Sequence, residues 1–177
     1  MKQIIFAGGI HGVGKSTLCH EITAALSIGY LSASEVLKWK DLNTDAKNKK
    51  VVDIPDTQSR LINGLNAILE VEKTYLLDGH YCLFNKDGEI TPVPMETFTK
   101  IDPIALVLVI GSVSDIKAAL EKRDQRVYDA GVLTLMQERE TSYAHEVAAH
   151  LDVPLFIFDK QTNNIADIIA QINESLT

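Results

Sequence analysis

Between an apolar run, Ile4–Ala7, and a stretch in which Leu18, Ile22, Ala25 and Leu26 recur at helical spacing, the chain places Gly9-Ile-His-Gly-Val-Gly14-Lys15-Ser16-Thr17. This loop satisfies the pattern G-x-x-x-x-G-K-S/T in full. Glycines let the backbone turn so that several N–H groups aim at one point with no Cβ in the way. A helix starting at Lys15 adds the positive end of its dipole. Such a strand–loop–helix unit cradles a polyphosphate, and it restricts the chain to architectures in which the loop stands at the end of a buried parallel strand.

The rest of the chain repeats that alternation. Tyr30–Ser32 reads as a short strand, and residues 41–56 as a polar loop or frayed helix. Leu61, Leu65, Ile68 and Leu69 mark a helix from Thr57 to Val71, and Tyr75–Asp78 is a strand ending in a carboxylate. Leu83–Ile90 carries an Asp87-Gly88 turn and reads as a hairpin, and Thr91–Pro94 is extended by its two prolines. Ile104–Ile110, apolar throughout, is a strand covered on both faces, and Ser114 is placed to cap the helix that follows it. A further helix carries Met136, Arg139, Tyr143, Val147 and His150. A strand at Leu155–Phe158 and a helix striped by Ile165, Ile168, Ile169, Ile172 and Leu176 complete the chain. The expected fold is a five-stranded parallel sheet with helices on both faces, in strand order 2-3-1-4-5, forming one domain over residues 1–177.

Within such a fold the loop implies ATP and Mg²⁺. Gly9, His11, Gly12, Val13, Gly14, Lys15, Ser16 and Thr17 are the expected nucleotide-binding residues, His11 filling a variable position. The Lys15 ammonium reaches the β- and γ-phosphates, and Ser16 ligates the metal. Asp78, at a neighbouring strand end, is the second candidate metal residue, through a ligating water or by orienting Lys15. A net charge of −7 argues against a broad phosphate-tracking surface for nucleic acid, and a small nucleotide needs only a basic pocket. No apolar run approaches the length that spans a bilayer, so a cytoplasmic protein, a monomer or small homo-oligomer, is expected. Cys19 and Cys82 make neither a disulfide framework nor a zinc site and read as buried structural thiols.

Four further segments give the chain a resemblance to the nucleoside monophosphate kinase group of P-loop kinases, and within it to the archaeal-type adenylate kinases. Leu31-Ser-Ala-Ser34-Glu35-Val-Leu-Lys38 is similar to the segment after strand two, whose helix carries a basic residue for the acceptor's phosphate; Ser34 stands where glycine is usual. Asp53-Ile-Pro-Asp56-Thr-Gln-Ser-Arg60 is similar to an Asp-Pro-Asp-Thr-Gln segment before the helix that closes over the acceptor. Leu76-Leu-Asp78-Gly-His80 resembles the strand-end aspartate motif, although Cys82 stands where ordinary adenylate kinases carry an arginine. Leu120-Glu-Lys-Arg123-Asp-Gln-Arg126, with Arg139 beyond it, resembles the lid of short-lid kinases.

The resemblance implies an acceptor-binding insertion over about 32–72, with Ser34, Glu35, Lys38, Arg60 and His80 on the acceptor, and a lid over about 123–140. Lys15, Asp78, Arg123, Arg126 and Arg139 would be the catalytic set, with Arg139 pointing inward beside Met136 and Tyr143. It also places the adenine base near Asp159–Asn164. The implied reaction is transfer of the γ-phosphoryl of ATP to a nucleoside monophosphate. A kinase of a nucleoside, sugar or other hydroxyl acceptor, with Glu35 or Asp78 taking the hydroxyl proton, and a slow ATPase acting as a nucleotide-dependent switch stay open beside it.

Overall fold

The computed structural model describes residues 3–38 and 54–176. The apolar run after the N-terminus forms β1 (Gln3–Gly8), and the glycine loop delivers the chain into α1 (Lys15–Leu26). Then follow β2 (Gly29–Ser32), α2 (Ala33–Lys38), α3 (Ile54–Ile68), β3 (Thr74–Asp78), the short strands β4 (Cys82–Phe84) and β5 (Ile90–Pro92), and α4 (Met95–Ile101). The chain closes with β6 (Ala105–Ile110), α5 (Val113–Asp124), α6 (Ala130–Leu151), β7 (Leu155–Asp159) and α7 (Ile165–Leu176).

Five strands pair in parallel in the order β2-β3-β1-β6-β7, and β4 and β5 form a separate antiparallel ribbon. Counting the strands of the large sheet alone, this is the expected order 2-3-1-4-5. The two-residue period of β1 divides the core: Ile5 and Ala7 pack on the face covered by α1, α5 and α7, and Ile4 and Phe6 on the face covered by α3, α4 and α6. Burial on both faces explains why β6 is apolar throughout and β1 carries no polar side chain after Gln3.

Several boundaries differ from expectation. The helix expected from Thr57 to Val71 spans Ile54–Ile68; Asp56 and Thr57 lie inside it rather than before it. Of the polar stretch at 41–56, the part through residue 53 lies outside the described residues. Ser112, not Ser114, caps α5, its hydroxyl accepting from the Asp115 amide, because the chain turns helical at Val113. Thr91 and Pro92, expected as part of an extended connection, pair with Leu83 and Cys82. The helix α4 was not expected at all. Among the described residues no helix is long and apolar enough to cross a membrane.

Candidate functional site

The parallel register brings the chemistry to one edge. Ala7, at the end of β1, and Ser32, at the end of β2, both register with Asp78, at the end of β3. The glycine loop begins one residue beyond β1. Gly12 (φ 81°) and Gly14 (φ 88°) lie in the left-handed region that favours glycine. A Cβ on Gly12 would stand 2.6 Å from Leu120 Cγ, and one on Gly14 would stand 2.7 Å from Lys160 Nζ. The loop is thus clasped between α5 and the segment after β7, and Lys160 lays an amine against it.

Three donors converge on Asp78. The Lys15 ammonium pairs with Oδ1; the Ser16 hydroxyl donates to Oδ2 at 2.7 Å, and the Tyr30 phenol donates to the same oxygen at 3.0 Å. Lys15 and Asp78 are 7% and 6% exposed. Burial, reinforced by the Asp78 carboxylate, pushes the Tyr30 phenol up, so Tyr30 stays a donor. Burial likewise pushes the Cys19 and Cys82 thiols up to about 12 each, which fits their structural reading.

The two histidines of the region meet. The ring nitrogens of His11 and His80 approach to 2.9 Å, with ring centroids 4.2 Å apart. His80 Nδ1 lies 2.6 Å from the Gly79 carbonyl, which can only accept; Nδ1 therefore carries a proton, and in the neutral ring Nε2 is the acceptor toward His11.

Two cavities open here. The larger, about 340 Å³, is lined by Lys15, Ser16, Asp78 and His80, by the hydroxyl and amide residues Ser32, Ser34, Thr57, Gln58 and Thr97, and by apolar residues that include Phe6, Leu61, Phe98 and Ile101. The smaller, about 90 Å³, lies between His11, His80 and Cys82 on one side and Arg123, Arg126 and Tyr128 on the other. The Arg123 guanidinium forks onto neighbouring Asp124 at 2.6 and 2.7 Å. That of Arg126 lies 4.6 Å over the Tyr128 ring and donates to its hydroxyl. Both arginines thus stand beside the phosphate loop.

Not every expected residue joins them. Arg139 is exposed, which corrects the inward orientation expected for it: the buried stripe of α6 runs through Leu133, Met136, Glu140, Ala144 and Val147. Glu140, one position on, is the fully buried one. Glu35 is exposed in the first turn of α2, and Arg60, half-buried on α3, is not among the cavity walls, whereas Ser34 is. Lys38 ends α2, and its side chain lies outside the description. Tyr30 and Glu140 carry no sequence signal, while Lys160 falls in the segment the resemblance gave to the adenine base and lies instead against Gly14 of the phosphate loop. Tyr30 is an ordinary residue of a short strand, with no local pattern to mark it. Glu140 looks in the sequence like any surface glutamate of a helix.

The residues fit a nucleoside triphosphate with Mg²⁺. The loop offers backbone room that side chains would fill, and Ser16 with Asp78 forms a hard oxygen donor pair suited to Mg²⁺, which takes few protein ligands and shares the substrate's phosphates. Among the described residues no cluster of three His, Cys, Asp or Glu gathers to hold a metal without a substrate.

Solved structures share the fold. A gluconokinase from Sinorhizobium meliloti 1021 superposes with a TM-score of 0.60 at 13% identity, covering 99% of this chain and 91% of its own. Chaetomium thermophilum Kti12, in complex with ADP-AlF3, superposes with a TM-score of 0.63 at 16% identity, covering 98% and 99%. No curated protein matches the chain in sequence. The family model for an AAA domain matches residues 8–132, which hold the loop, Asp78 and both cavity-lining arginines. The chain, with its P-loop kinase-like fold, belongs to this AAA domain family.

Proposed function

We propose that this chain is a Mg²⁺-dependent phosphotransferase that moves the γ-phosphoryl of ATP to a small acceptor seated in the larger cavity. The observation that carries this reading is the convergence of Lys15, Ser16 and Asp78 on the wall of a cavity large enough for a small metabolite. In this reading nucleotide binding draws Lys15 from Asp78 to the β- and γ-phosphates. The loop amides would hold the β-phosphate, Ser16 would ligate the Mg²⁺, and Asp78 would hold it through a ligating water. The metal, when bound, offsets charge on the phosphoryl oxygens. Arg123 and Arg126 would exchange their local partners for the migrating phosphoryl group as the arginine-bearing end of the 123–140 segment closes and excludes water, the buried residues of α6 staying in place. Lys160 and its neighbours face the nucleoside.

Of the acceptor classes, a hydroxyl compound has the more specific support. Among the described residues, Lys15 is the only lysine or arginine on the wall of the larger cavity, and in this reading it is engaged by the donor phosphates; apart from the Asp78 carboxylate, the remaining polar wall is hydroxyl, amide and imidazole. Asp78, the one carboxylate on that wall among the described residues, would take the hydroxyl proton, and Glu35, the other candidate, does not line it. A nucleoside monophosphate acceptor, the adenylate kinase-like reading, rests on the sequence resemblance that assigns Lys38 and Arg60 to the acceptor's phosphate, and Arg60 does not line the larger cavity.

The test is product separation after incubating purified protein with ATP, Mg²⁺ and two panels, nucleoside monophosphates and uncharged hydroxyl compounds. Transfer to a hydroxyl compound is expected. Transfer confined to monophosphates restores the adenylate kinase-like reading, and ADP formation with no transfer to either panel overturns the phosphotransferase reading in favour of a nucleotide-dependent switch.

A further inference from the structure

Glu140 is fully buried, yet nothing in the phosphotransferase reading uses it. Its Oε2 accepts the Tyr81 amide at 2.9 Å, and Oε1 has no hydrogen-bond partner. A buried carboxyl left half-satisfied costs stability, so its presence calls for an explanation. The segment it grips is the one that leaves Asp78. Gly79 donates its amide to the Ala7 carbonyl at 2.9 Å, His80 turns toward His11, and Tyr81 lays its fully buried ring against Gly8 while donating its hydroxyl to the Val107 carbonyl at 3.1 Å. Glu140 supplies the last fixed point, and it does so from α6, the helix that the 125–129 linker joins to the arginine-bearing end of α5.

We propose that Glu140 is a positioning residue that ties α6 to the Asp78–His80 strand end, holding the metal-side carboxylate and His80 in register with the phosphate loop. Geometry carries this, and the electrostatics agree. Burial pushes the Glu140 carboxyl up to about 8, against the lowering effect of the Tyr81 and Cys82 amides and of Lys15, so at neutral pH it is an uncharged acid. The groups that face it are Tyr81 and Cys82 from the strand segment and Lys15 from α1. β5 and β6 carry no ionisable side chain, and the acid–base pairs of α4 and α5 (Glu96–Lys100, Lys117–Glu121, Arg123–Asp124) lie at or near the surface. Ionisation places a negative charge in a site that burial keeps from water and that the Tyr81 and Cys82 amides and Lys15 offset only in part, so the contact between α6 and the strand end is disturbed.

The proposal rests on the nucleotide-site reading only for its affinity arm. The test compares wild type with Glu140→Gln and Glu140→Leu, following the His80 ring resonances by NMR from about pH 6.5 to about pH 9.5, a range that separates an acid titrating above neutrality from ordinary histidines. The affinity of a non-hydrolysable ATP analogue with Mg²⁺ is measured alongside. Wild type is expected to show an inflection near the Glu140 ionisation, absent in Glu140→Gln, which keeps the acceptor oxygen and native-like affinity. Glu140→Leu, measured where it is fully folded, is expected to shift the His80 resonances at every pH and to weaken binding by about tenfold or more, as displaced site geometry does. An inflection that persists in Glu140→Gln, or wild-type resonances in folded Glu140→Leu, overturns the proposal. Failure of wild type to bind the analogue would count against the proposed function, and the resonance arm would still decide the role of Glu140.

Discussion

The ion pair at the phosphate loop allows a prediction without any ligand. Lys15 and Asp78 are both nearly buried, and each is the other's charge partner. Asp78→Ala leaves the ammonium alone in a site that water barely reaches. Breaking a buried pair costs about 3–5 kcal/mol, and because this one opens onto a cavity the lower end, about 3 kcal/mol, applies. Lys15→Met is milder, about 2 kcal/mol, since the Asp78 carboxylate keeps the Ser16 and Tyr30 hydroxyls. In a chain of this size each kcal/mol shifts Tm by about 2–4 °C, so Asp78→Ala should melt about 6–12 °C below wild type in the absence of nucleotide. The double variant should melt no lower than Asp78→Ala alone, giving a coupling energy of about 2 kcal/mol or more. Thermal denaturation of the four proteins at pH 7 measures this. Additivity of the two single effects within about 0.5 kcal/mol would refute the claim that the residues form one buried unit.

Two further outcomes follow from the same geometry. Gly12→Ala combines a left-handed backbone with a Cβ 2.6 Å from Leu120; a loss of about 1–2 kcal/mol from the backbone alone, with weaker nucleotide binding, is expected in denaturant titration and calorimetry. Glu140, with its acid raised in the folded state to about 8, favours folding when protonated. Its contribution is therefore full below the unfolded value near 4.5 and declines by up to about 1.4 kcal/mol per pH unit until the folded value is passed. Between pH 6 and pH 8 the Tm of wild type should fall faster than that of Glu140→Gln, and parallel slopes would contradict the assignment.

What the sequence revealed follows from how local each signal is. The glycine loop is contiguous, β6 is apolar throughout and β1 is so from Ile4 on, so the loop and the sheet order could be read directly. The α6 helix shows where that reading fails. Met136, Arg139, Tyr143 and Val147 and the true stripe of Met136, Glu140, Ala144 and Val147 have equally regular spacing, and a glutamate on the inner stripe conceals the phase. With the phase misread, Arg139 turned inward on paper and outward in the fold. The helix α4 has only seven residues and follows two prolines, too short for a periodic pattern. The support of Asp78 by Tyr30 arises from strand register, a long-range property with no trace in the local sequence.

The central claim is that residues 9–17, with Asp78, bind a nucleoside triphosphate together with Mg²⁺. Calorimetric titration of a non-hydrolysable ATP analogue with Mg²⁺ into wild type and Lys15→Met tests it most directly. A single saturable site is expected in wild type, weakened sharply when Mg²⁺ is chelated and lost in Lys15→Met. Equal binding by the two proteins would contradict it.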